Sequence, residues 1–105
     1  MLALGAIEFG EVLRQARQFE MANQVIRSGT SIGANLAEAV FAASNRDFIN
    51  IHRISLKEAK ELEYWFEICQ ESPILPEAPA HTIELNQECI RILVAIINNR
   101  LKSTQ

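Results

Sequence analysis

Histidine and cysteine, the residues that most often hold a metal or begin covalent chemistry, occur only twice each in this 105-residue chain. His52 and His81 have no second ligand at metal spacing, and there is no ExxH pair of the kind that carries metal chemistry in helical bundles. His52 lies beside an apolar stripe and reads as a boundary residue. Cys69 and Cys89 lack CxxC spacing and a nearby histidine cluster, so they read as buried free thiols in a reducing, cytoplasmic setting. No serine sits in a nucleophile elbow, and Gly29-xxx-Gly33 has neither the preceding strand nor the following Lys-Ser/Thr of a phosphate loop. No apolar run approaches membrane-spanning length, and Met1 to Ala6 carries no basic segment, so neither a membrane span nor a signal peptide is expected. No internal repeat, low-complexity segment or strand-like alternation is present. These absences leave no expected catalytic residue, metal, cofactor or small-molecule substrate.

What is present suits a small folded domain. Hydrophobic residues make up 49% and charged residues 22%, enough apolar content for a core and too little charge for a disordered chain. One domain over residues 1–105 is expected. A domain this small buries a modest share of its surface, so association would add burial. The net charge of −3 argues against general electrostatic binding to nucleic acid.

The centre of the chain is Gln24 to Ala39, QVIRSGTSIGANLAEA. Either Gly29 ends one helix and Thr30 or Ser31 caps the next, or one helix runs through both glycines. The apolar phase favours the second. Met21, Val25, Ser28, Gly29, Ile32, Leu36, Ala39 and Val40 keep helical spacing without a slip. An interior glycine costs about 1 kcal/mol against alanine, so two of them point to close approach by a neighbouring helix. Gln24, Arg27, Ser31, Asn35 and Glu38 form an adjoining polar line, read as a seam between helices, with a solvated edge or a ligand site as the alternatives.

Helix one is expected from Leu2 to about Arg17. Leu2, Ala6, Phe9, Leu13 and Ala16 mark its inner face, widened by Ile7 and Val12. Its turn into helix two falls near Arg17 to Glu20, where neither glycine nor proline marks it. Helix two runs to about Ala42. Ser44 caps helix three with Asp47 as a capping-box partner, and helix three spans Asn45 to Glu71. Its main stripe is Phe48, Ile51, Ile54, Ser55, Ala59, Leu62, Trp65, Phe66 and Cys69. Ile49, Leu56, Tyr64 and Ile68 lie off it, so the helix needs burial on more than one side, within the chain and between subunits. Glu58 falls within the stripe, either paired with Arg27 or at the margin in water. Pro73, Pro76 and Pro79 define a loop over Ser72 to Ala80. Helix four starts near His81 or Thr82 and ends about Lys102. Ile83, Cys89 or Ile90, Leu93, Ile97 and Leu101 form its spine, broadened by Leu85, Ile92, Val94 and Ile96. Residues 103–105 are expected to fray. Four helices, short connections and no strands give an all-α, antiparallel up-down-up-down four-helix bundle.

One row of positive charge stands out. Arg46, Arg53, Lys57 and Lys60 share the outer face of helix three and can follow a phosphate backbone. Acidic neighbours such as Glu61 neutralise part of the row, and a solvated face is the plainer reading.

The segments RSGTSIGANLAEA, SNRDFI and ISLKEAKELEYWF resemble the four-helix-bundle family of 23S rRNA intervening-sequence proteins. The resemblance extends over nearly the whole chain, with Phe9 at the family's first-helix aromatic and Glu88 to Leu101 like its last helix. Helix one and the connection after it look shorter than is usual there. The resemblance implies an antiparallel bundle, a continuous helix two, homo-oligomers with pentameric rings among their forms, and a bacterial cytoplasmic protein. It supplies no catalytic residues. Arg27, Ser31, Asn35, Glu38 and Glu58 match its signature positions, which have packing roles. A similar group, the accessory proteins of diversity-generating retroelements, forms pentamers and binds nucleic acid through a basic surface, whereas this chain is acidic. Two roles follow as expectations: a non-enzymatic homo-oligomeric scaffold, with Ile49 and Leu56 on its contact face, or an accessory protein holding RNA or DNA through Arg46, Arg53, Lys57 and Lys60.

Overall fold

The computed structural model describes residues 1–103; the expected fraying at 104 and 105 lies outside the described residues. Its elements are α1 (Leu2–Gln15), α2 (Phe19–Ala39), α3 (Asn45–Glu71) and α4 (Ala80–Lys102). Each helix packs antiparallel to the next, and the bundle is 49 Å long. α2 passes through Gly29 and Gly33 without a break. It ends at Ala39 instead of about Ala42, because the chain turns over Val40 and Phe41 and leaves both exposed, at 81% and 86%.

The turn between α1 and α2 is made without glycine. Arg17 takes the left-handed conformation, φ 62°. The Gln18 N–H donates to the Leu13 carbonyl (2.8 Å) and the Arg17 N–H to the Arg14 carbonyl (2.8 Å). This is the Schellman closure, with arginine where glycine is usual. At α3, Ser44 Oγ accepts from the Asp47 N–H, 3.0 Å, and the Asp47 carboxylate reaches back one residue past Ser44 to the Ala43 N–H, 3.1 Å.

Two glycines set the spacing of α1 on α2. A Cβ at Gly29 would run into the Cβ of Ala6, and one at Gly10 into the side chain of Ile26. Phe9 then reaches Phe66 of α3, ring centroids 6.0 Å apart. Ala6, Phe9, Leu13, Val25, Ile32, Leu62, Phe66 and Leu93 are buried at the centre. Buried polar groups tie the layers. Ser55 Oγ donates to the Ile32 carbonyl (3.1 Å) and Asn86 Nδ2 to the Ala59 carbonyl (3.0 Å).

Several expected faces shift. In α1, Ile7, Val12 and Ala16 are exposed, since the helix packs inward along Ala6, Phe9, Gly10 and Leu13, with Leu2 against the edge of the core. In α3 the inner face of the first half is Ile49, His52 and Ser55, and Ile54 is exposed. His52 is therefore inside, its Nδ1 2.8 Å from the Phe48 carbonyl, where a boundary position was expected. Ile49 is buried and Leu56 packs against the core, so neither forms an exposed contact face. In α4, Ile92 and Val94 are exposed instead of broadening the core.

α1 has 14 residues against 27 in α3, about 21 Å against 40 Å at 1.5 Å per residue. Its neighbours show which half it covers. Ala6 abuts Gly29, Phe9 meets Phe66, and Gly5 faces Thr82. α1 thus lies over the second half of α3 and the start of α4. The other half consists of α2, α3 and α4 alone.

Candidate functional site

Three surface features collect the residues of interest. The first is an ion-pair cluster between α2 and α3. Arg27 Nη1 lies 3.0 Å from Glu58 Oε2, and Nη2 bonds to Glu61 and to Gln24 Oε1, 3.2 Å. The bond to Glu61, helped by both carboxylate charges, raises the Arg27 pKa above its ordinary value although burial works the other way. Glu58 is both paired with Arg27 and placed at the margin of the interface. The other residues of the expected polar line behave differently. The Ser31 hydroxyl donates to the Arg27 carbonyl one turn back, 2.6 Å. Asn35 is half-buried and Glu38 exposed, and neither side chain has a bonding partner among the described residues. The Ser28 and Thr30 hydroxyls also return to their own helix, bonding the Gln24 and Ile26 carbonyls (both 2.7 Å). These bonds use the single O–H donor of each hydroxyl.

The second feature is the outer face of α3. Arg46, Arg53, Lys57 and Lys60 are all exposed on it. Lys60 Nζ is tied to Glu63 Oε1 at 2.9 Å, a bond that raises the lysine pKa. Arg46, Arg53 and Lys57 have no ion-pair partner among the described residues. Arg46 and Arg53 border a concavity of about 640 Å³ with Ser44, Asp47, Asn50 and Leu101. Nearby, Asn45 and Arg100 exchange hydrogen bonds, 2.8 and 3.2 Å, and the Arg100 guanidinium lies 3.8 Å from the centroid of the Phe48 ring. These contacts pin the start of α3 to the end of α4.

The basic row belongs to a wider separation of charge. The first half of α3 carries Arg46, Arg53 and Lys57 against Asp47, and its second half carries Glu58, Glu61, Glu63, Glu67 and Glu71 against Lys60. α4 has Glu84 and Glu88 first, then Arg91, Arg100 and Lys102. Because the two helices are antiparallel, both gradients point the same way, giving a basic end and an acidic end. The net charge of −3 averages over the two ends, which is why a sum over the sequence hides the basic one.

The third feature was not foreseen. Where α1 is absent, a groove of about 500 Å³ opens between α2 and α4. Leu36 and Val40 form one wall, Cys89, Ile92 and Ile96 the other, and Phe48 and His52 the floor. Glu88 is its only carboxylate. Gly33 has nothing within 4 Å of where a Cβ would sit. The signal available in the sequence was the difference in helix length.

Little in these surfaces suggests bond-making chemistry. Burial pushes both the Cys69 and Cys89 thiols up from their ordinary value, which keeps them protonated and poor nucleophiles at neutral pH. Among the described residues no group of three or more His, Cys, Asp or Glu could hold a metal, and no helix is long and apolar enough to cross a membrane.

Comparison with known proteins adds a lineage. Residues 1–98 match the family described as 23S rRNA-intervening sequence protein. No match is found among curated proteins. A crystal structure of a protein with unknown function from the S23 ribosomal protein family of Bacteroides thetaiotaomicron VPI-5482 is 34% identical, with a TM-score of 0.70, covering 92% of this chain and 98% of that one.

Proposed function

This chain belongs to the 23S rRNA-intervening sequence protein family, and from that premise we propose that it works by self-assembly and not by catalysis, as a homo-oligomeric scaffold of the bacterial cytoplasm. The observation that carries the reading is the apolar groove left beside the short α1. Val40 and Ile92, both exposed, line it together with Leu36, Cys89 and Ile96. Apolar surface grouped in this way is costly in water and marks a contact site. A closed ring, of which a pentamer is one form, buries such surface in every copy.

The charge separation favours a second reading, in which an oligomer presents Arg46, Arg53 and Lys57 of several copies to RNA or DNA. Their lack of acidic partners supports it, and Lys60, held by Glu63, contributes less. Light scattering after size exclusion, at low and high salt and with and without added RNA, separates the two. Assembly through apolar surface predicts an oligomer that persists in high salt. The second reading predicts a further, salt-sensitive increase in mass with RNA, lost in the pair Arg53→Glu and Lys57→Glu. A monomer under all conditions contradicts the scaffold reading, and no RNA-dependent shift at low salt contradicts the other.

A further inference from the structure

Asn86 of α4 is almost wholly buried, 1% exposed, in the contact between α3 and α4. Its Nδ2 donates to the Ala59 carbonyl at 3.0 Å, which settles which end of the amide is nitrogen. The other end, Oδ1, is buried with no hydrogen-bond donor among the described residues. A buried acceptor in that state is costly and calls for a partner. Asn86 also forms part of the wall of a cavity of about 190 Å³ between the second half of α3 and the first half of α4. Glu63, Glu67, Gln70 and Gln87 are the other polar residues around this cavity, and Phe66 and Ile83 are its apolar lining.

We propose that this cavity binds an organic cation with N–H donors, a guanidinium or primary ammonium head on a slender carbon chain. The wall selects that chemistry. Lys60 holds Glu63 at 2.9 Å, and one lysine against two carboxylates leaves the cavity negative, so an anion is repelled. Glu67 feels Lys60 at longer range but has no hydrogen bond or ion pair among the described residues. Gln70 and Gln87 are exposed and have no hydrogen-bond partner there either. A water satisfies Oδ1 alone, and its share of volume, about 30 Å³, leaves most of the space and Glu67 unused. A calcium ion takes about six to eight oxygens, and with Glu63 tied to Lys60 only one carboxylate is free. A cationic head with several N–H groups meets both remaining acceptors, Asn86 Oδ1 at the buried end and Glu67 at the exposed rim. Its methylenes lie against Phe66 and Ile83. A single chain contains the whole site, so the proposal does not depend on self-assembly. The head belongs either to a free amine or to a lysine or arginine side chain of another chain; the recognition chemistry is the same.

Nuclear magnetic resonance of the ¹⁵N-labelled full chain tests this on the side-chain amide of Asn86 itself. The probes are butylguanidinium and butylammonium, with tetramethylammonium, which has the charge but no N–H, and calcium chloride as controls at matched ionic strength. The Asn86 amide signals should move saturably with the two probes and not with the controls. Removing both carboxylates, Glu63→Gln with Glu67→Gln, should weaken the probes about tenfold, as expected for lost charge-assisted bonds. Neither side chain is in the core, so this variant should keep the fold, and the amide readout on the unsubstituted chain decides if it does not. The two sources of the head are distinguished by mass. A site open to a free amine binds the probe with no change in sedimenting mass. A site already holding a side chain from another copy gives Asn86 signals that depend on protein concentration, and the probe lowers the mass. No movement of the Asn86 amide with either probe overturns the proposal. So does equal movement with tetramethylammonium or calcium, which would show screening of surface charge or a metal site instead.

Discussion

Gly29 of α2 and Ala6 of α1 approach so closely that a side chain on the glycine would occupy the place of the alanine methyl. Gly33, one turn along α2, meets nothing within 4 Å. The two glycines of one motif therefore have opposite mutational signs. Gly29→Ala should destabilise the chain by about 1–3 kcal/mol through overpacking. Gly33→Ala should stabilise it by up to about 1 kcal/mol through helix propensity. Urea unfolding of the two variants checks both signs, and equal effects would show that α1 is not seated on Gly29.

Arg17 carries the left-handed turn at the end of α1. A non-glycine residue there is strained by about 1 kcal/mol. Arg17→Gly is expected to raise the unfolding midpoint, by less than the full strain because glycine also gains freedom in the unfolded chain. A lower midpoint would mean that the turn adopts another conformation.

The Arg27 cluster should matter modestly. The arginine side chain is about half exposed, so solvent screens its pairs with Glu58 and Glu61. A double-mutant cycle on Arg27→Ala and Glu61→Ala should give a coupling below about 1 kcal/mol that shrinks with added salt. A coupling of several kcal/mol would identify the cluster as desolvated by something beyond the single chain.

Ser55 Oγ makes a buried bond to the Ile32 carbonyl. Ser55→Ala should cost about 1 kcal/mol, since the carbonyl belongs to an α-helix and loses only this additional donor. Faster amide exchange in the middle of α2 and α3 is the matching local readout.

Burial raises the pKa of both thiols, so as pH climbs the unfolded chain loses these protons first. The native state then binds more protons than the unfolded state, and stability falls as pH rises above the ordinary thiol value of 9.0. Denaturant midpoints measured from about pH 8 upward should decline more steeply in the unsubstituted chain than in a Cys69→Ala, Cys89→Ala variant. Parallel declines would show that the thiols are not protected by the fold.

Much of this fold was legible because its local signals agree. The apolar phase of Met21 to Ala39 runs through two glycines, and α2 does the same. Ser44 and Asp47 announce the start of α3, and three prolines announce the loop before α4. The α1–α2 turn was less legible because arginine occupies a position where glycine would have been the signal. In the first half of α3, Phe48, Ile49, Ile51 and Ile54 offer apolar residues on every side, so spacing alone did not show that Ile49 and His52 turn inward. The pairing of Arg27 with Glu58 was one of two readings that the helix faces left open, and both hold in part. The groove did not, since it arises where a neighbouring helix is missing, which no residue of α2 or α4 records. Charge separation was equally hidden, because it emerges only when antiparallel α3 and α4 align their gradients.

The central claim is that this chain assembles with itself through apolar surface. Sedimentation equilibrium of the unsubstituted protein over a range of concentrations, at low and high salt, tests it most directly. The account predicts a mass that is a multiple of 11.8 kDa and survives high salt. A single species of 11.8 kDa at every concentration would contradict it.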